Sequence, residues 1–269
     1  MIEELSFELL DDVALAAALG TITPAELPKT LATDLGPLVE FVHAGLAHRL
    51  NGWLDLGRHK DLTRAILAGR KWFSDSGAQG FVSMSEITDR YSDWTDFAMR
   101  AKRAATGVGF ALDDAGQLVA AIGELRGNVE EHSEDPDTGY FAYDATPGRF
   151  EFVAADSGIG VLRSLRTHPH YADVQDAGTA LNLALSEGVS RHYDDKGRGR
   201  GFRPIFIGLA NASEHLRFRS GDHTREMARD KEGRLVASTR QKADLPGFFC
   251  SVRCAADIRH SGNRLRSKR

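Results

Sequence analysis

Two short stretches of the chain carry side chains whose types and spacing could do chemistry. In the first, Glu124, Asn128 and His132 recur every four residues, which places an acid, an amide and an imidazole along one side of a helix. Leu118, Ile122, Leu125 and Val129 fall on roughly the opposite side, the spacing of a buried stripe. A helix with its back in a core turns its other face to water or a ligand. On that face a carboxylate can polarise a water or hydroxyl for attack, and a neutral amide oxygen suits a hard cation. The second stretch is Asp156-Ser157-Gly158-Ile159-Gly160. It follows Phe150-Glu151-Phe152-Val153-Ala154-Ala155, a strand-like run, so the acid stands at a strand end before two closely spaced glycines.

Together these stretches resemble the GHKL ATPases, the superfamily of gyrase, heat-shock chaperones and sensor histidine kinases. Glu124 and Asn128 match its N box; Asp156, Gly158 and Gly160 match its D-x-G-x-G box. Gly197-Arg198-Gly199-Arg200-Gly201 stands where the family has its second glycine box. The order and spacing of all three carry the resemblance, since glycines after an acid are common in turns. It covers residues 85 to 255 and implies an α+β fold: a two-layer α/β sandwich of the GHKL (Bergerat) type, with a mixed sheet and helices on one face.

The resemblance also implies a nucleotide ligand, ATP with Mg²⁺. Asp156 can accept the adenine exocyclic amine, which guanine replaces by a carbonyl. Gly158 and Gly160 let the backbone approach the nucleotide closely, although a tight turn would account for one of them. Asn128 offers its carbonyl oxygen to Mg²⁺, against a structural reading as a capping amide. Glu124, otherwise a surface acid, is placed to activate a nucleophile toward the γ-phosphate. Gly197, Gly199 and Gly201 before an expected helix at Pro204–Ala212 would present N–H groups to phosphate, with Arg198 and Arg200 facing either phosphate or solvent. Ser190 and Arg191 are further γ-phosphate candidates in the expected lid, 161–196. His132 reads as support for its helix rather than a phosphorylation site. His168, His170 and His192 lack the cysteine or acid partners of a zinc site.

The elements that must position these residues follow from the rest of the chain. At 269 residues there is room for one large domain, or one of about 150 residues with a smaller companion. A formal charge of −4 argues against a general polyanion binder such as a nucleic-acid protein. No apolar run approaches a membrane span and Met1-Ile2-Glu3-Glu4 is not a signal-peptide start, which leads to an expected cytoplasmic location. Cys250 and Cys254 face the same side of a strand about 13 Å apart, too far for a disulfide and consistent with a reducing compartment.

Residues 1–80 read as a mainly helical N-terminal region, with helices at Asp12–Leu19, Gly36–Leu50 and Lys60–Trp72. His43, His48 and His59 there lack a phosphoacceptor box and read as solvated or capping. The small, polar stretch 74–80 is the expected boundary to an ATP-binding domain at 81–255, and 256–269 is a basic tail. Within the domain, Phe81–Ile87 reads as a strand, Ser92 as the cap of a helix ending near Gly107, and 138–145 with 149–155 as a hairpin. Leu216, Phe218, Phe248, Cys250, Val252 and Cys254 alternate with Arg217, Arg219 and Arg253. The layout is most similar to anti-sigma-factor serine kinases and to stand-alone bacterial ATP-binding regulators. The resemblance therefore implies ATPase or serine/threonine protein-kinase activity on a regulatory partner, STAS-like or sigma-factor-like, with a second copy of the chain as another candidate partner. A module that senses ATP without turnover, and a repair- or chaperone-type clamp, are the alternatives; the clamp lacks its long transducer domain here.

Overall fold

A computed structural model describes residues 2–89, 92–185, 213–230 and 232–256. Ser190, Arg191, His192, the glycine box 197–201, the expected helix at 204–212 and the basic tail from 257 lie outside these residues. In chain order the elements are β1 (Glu3–Glu4), α1 (Phe7–Leu19), β2 (Thr30–Leu31), α2 (Leu35–His43), α3 (Leu46–Arg49), β3 (Leu54–Asp55), α4 (Lys60–Ala68), β4 (Trp72–Phe73) and β5 (Gln79–Ser83). Then come α5 (Ser92–Gly107), α6 (Leu112–His132), β6 (Tyr140–Thr146), β7 (Arg149–Asp156), α7 (Gly160–Arg166), α8 (Ala177–Ala184), β8 (Ser213–Arg229) and β9 (Leu235–Ala255). The fold is α+β.

A six-stranded sheet in the order β4-β5-β6-β7-β9-β8 forms the centre, and β1, β2 and β3 make a small parallel sheet. The large sheet departs from expectation in two ways. Every pairing in it among the described residues is antiparallel, so it is not mixed. Both its faces are covered, not one. Side chains alternate between faces along a strand, and on β7 Phe150, Phe152 and Ala154 meet the core under α5 and α6. Val153 and Ala155 instead meet Leu35 and Val39 of α2 and Leu62 and Ile66 of α4. Covering both faces explains why β7 reads as a near-continuous apolar run.

Stretch 74–80, expected as a boundary, is the turn joining β4 to β5 inside the large sheet, closed by the Gly77 N–H on the Ser74 carbonyl at 2.8 Å. The strand expected at Phe81–Ile87 is β5, Gln79–Ser83, which gives way to a 3₁₀ turn at Met84–Glu86. At the start of α5 the acceptor is Asp89, which takes the Ser92 N–H at 3.2 Å, rather than Ser92 itself. In the expected lid segment the structure has α7 and α8; sequence spacing places a helix at Ala180–Ser186, and α8 starts before it because Asp176 caps it through the Thr179 N–H at 2.8 Å.

The N-terminal helices carry their own small core, Leu5, Leu10, Val13, Leu38, Phe41 and Trp53 among it. Helix α2 belongs to this core and to the sheet's, and every residue from Leu35 to Phe41 is buried. Charge locks it in place. Arg217 of β8, fully buried, pairs with Glu40 of α2 at 2.7 Å, with Asp11 of α1 and with Glu226. Arg219 is buried beside it on the same two acids. Each of these arginines would cost several kcal/mol to leave unpaired.

Candidate functional site

Helix α6 keeps its expected stripe: Ala115, Leu118, Ile122, Leu125 and Val129 are all buried. Asp113 and Asp114 sit in its first turn, where the helix dipole favours acids. Of the three polar positions Glu124 is exposed, while Asn128 and His132 are half-buried. Arg126 pairs with Glu130 at 2.9 Å and lies 4.7 Å over the Trp94 ring, which ties this face to α5.

The helix ends against the second motif. The Ser133 carbonyl at its C-cap accepts the Ile159 N–H at 2.8 Å. Thr138, in the turn that follows, accepts the Ser157 N–H at 3.0 Å through its hydroxyl. Each glycine of the loop has its own reason. A β-carbon on Gly158 would overlap the Ser133 backbone, and Gly160 holds a φ of +72° as α7 begins. Val161, next along, donates its N–H to the Ser220 hydroxyl at 2.9 Å, so β8 anchors the far end.

Asp156 closes β7 and is 3% exposed. Its Oδ1 accepts the Gly158 N–H at 2.9 Å. Burial pushes its carboxyl up to about 6, opposed by that N–H and reinforced by Asp135 nearby.

The fold therefore joins the loop after Asp156, through Gly158 and Ile159, to the end of the helix carrying Glu124 and Asn128, about 7.5 Å along the axis from Asn128. Ser190, Gly197, Arg198, Gly199, Arg200 and Gly201 lie outside the described residues. No group of three or more metal-ligating His, Cys, Asp or Glu residues occurs among the described residues. His168 packs on Tyr171 with ring centroids 5.7 Å apart.

Histidines of the N-terminal region take roles the spacing did not indicate. His59 is fully buried, with Nδ1 3.0 Å from the Ala32 carbonyl and Nε2 3.4 Å from Asp144, and burial pulls its pKa down to about 4. His43 contacts Tyr140 and Pro246, not solvent alone. Cys250 and Cys254 are free, fully buried thiols, as expected. No helix among the described residues is long and apolar enough to cross a membrane. Comparison with protein-family models, with curated proteins and with solved structures gave no match.

Proposed function

We propose that the chain is a Mg²⁺-ATP-binding regulator of the GHKL type, with ATPase or serine/threonine protein-kinase activity on a STAS-like or sigma-factor-like partner in the cytoplasm. What supports this reading above all is the buried carboxylate of Asp156, held at the head of a two-glycine loop that is hydrogen-bonded to the end of the Glu124–Asn128 helix. In this reading Asp156 accepts the adenine amine, and the loop backbone at Gly158 and Gly160 borders the nucleotide. The Asn128 amide oxygen would hold Mg²⁺, which when bound neutralises phosphate charge. Glu124, exposed one turn before Asn128, takes the proton of the attacking hydroxyl or water. Ser190, Gly197 to Gly201, Arg198 and Arg200 complete the phosphate contacts in the same reading.

Glu124→Gln keeps the shape of the helix face and removes the base. With Mg²⁺-ATP saturating, the variant should bind as wild type in titration calorimetry. Its γ-phosphate release or transfer should drop at least about a hundred-fold, the usual scale of general-base assistance. Binding without turnover by wild type, with any partner, would make the chain an ATP-sensing module. A wild type that does not bind ATP at all sinks the reading.

A further inference from the structure

Helix α2 reaches the end of β7 from the face opposite α6. His43, its last residue, has Nδ1 3.0 Å from the Tyr140 hydroxyl and Nε2 3.1 Å from the Pro246 carbonyl. A carbonyl can only accept, so Nε2 carries the ring hydrogen and Nδ1 accepts from Tyr140. Both nitrogens of a neutral imidazole are thus used. Burial beside Tyr140 and Phe249 lowers the pKa of His43 and keeps it in that form.

The two partners flank Asp156. Tyr140 stands opposite Ala155 in the β6–β7 ladder, and Asp156 stands opposite Phe248, two residues beyond Pro246. Between them Gly247 lies directly against the Asp156–Ser157 peptide. Its carbonyl accepts the Ser220 hydroxyl at 2.8 Å, and the Ser220 oxygen in turn takes the Val161 N–H at 2.9 Å. One imidazole from the N-terminal region therefore braces both strands between which the Asp156 loop hangs.

We propose that His43 and Tyr140 are positioning residues for Asp156, so that adenine recognition depends on the N-terminal region. This rests on the ATP reading above. The physical demand is placement: a recognition group has to be held within about 0.5 Å of its productive position, and a hydrogen bond stretched to about 3.6 Å no longer counts as one.

The test uses the full-length protein and two nucleotides, Mg²⁺-ATP and Mg²⁺-purine riboside triphosphate, which lacks the exocyclic amine. His43→Ala and Tyr140→Phe should each weaken ATP about ten-fold, the scale of one charge-assisted hydrogen bond. Both should leave the analogue within about two-fold of wild type, because only the amine reads Asp156. A role limited to stability would lower both nucleotides together, and that result overturns the proposal. So does unchanged ATP affinity in Tyr140→Phe, which removes one oxygen and keeps the ring, and so remains informative if His43→Ala does not fold. In either case wild type still binds ATP and only this inference falls. If wild type binds neither nucleotide, the ATP reading falls and takes this inference with it.

Discussion

Burial sets the terms for Asp156, whose carboxyl is pushed up to about 6. The folded chain holds this proton more tightly than the unfolded chain, so the group's contribution to stability is complete at low pH. It is lost as pH rises through about 6, at a cost on the order of 3 kcal/mol at neutral pH. Asp156→Asn never ionises and escapes that cost. Its melting temperature without nucleotide should exceed that of wild type at pH 8 by several degrees, at roughly 2–4 °C per kcal/mol, with the gap about halved at pH 5 and closed below about pH 4. Its Mg²⁺-ATP affinity should fall about ten- to a hundred-fold. Thermal melts showing the same gap at pH 5 and pH 8, or calorimetry showing unchanged affinity, would remove Asp156 from this role. The place of Asp156 at a strand end was legible from the chain alone because the strand before it and the glycines after it are its neighbours in sequence. His43 was not: its partners lie 97 and 203 residues further on. Nothing in local spacing marks a histidine whose environment is assembled from that far.

At the scale of elements, legibility followed the period of the pattern. The α6 stripe and the β6–β7 hairpin both came from repeats within single elements, and both hold. What failed was the inference from one element to its covering. Asp144 and Glu151 are directly opposite in the β6–β7 ladder, an arrangement that suggests a solvated face. Both are buried. Gln79 and the 58–59 segment satisfy Asp144, and the Leu35 N–H donates to Glu151 at 2.8 Å. Arg217 and Arg219, on the strand face opposite Leu216 and Phe218, are buried as well. The junction of α6 with the glycine loop yields its own prediction. Gly158→Ala forces a β-carbon into the Ser133 backbone, so it should lose about 1–3 kcal/mol of stability and weaken Mg²⁺-ATP. Gly123→Ala, on the same helix with open space around it, should gain up to about 1 kcal/mol. Denaturant titrations of the pair decide it: equal effects would mean that the loop does not rest on the helix end as described.

Over the whole molecule, the N-terminal region and the sheet share one interior. Removing residues 1–69 would expose Phe81, Val153, Ala155 and Phe249 on one face of the sheet. It would also strip Arg217 and Arg219 of Asp11 and Glu40, and a broken buried pair costs about 3–5 kcal/mol. A chain of residues 70–269 should therefore be recovered as aggregate, or without near-ultraviolet circular dichroism. A soluble fragment with a cooperative melt would show that the large sheet and the helices on its other face fold without the N-terminal region.

The same ion pairs order events in time. Asp11 and Arg217 are separated by 206 residues, and Glu40 and Arg217 by 177. On a ribosome adding about 5–20 residues per second, roughly 10–40 s separate the synthesis of these acids from that of their arginine. The acids of the first two helices are thus made early and neutralised late, and through that interval the inner face of α2 is open to chaperones and to other nascent chains.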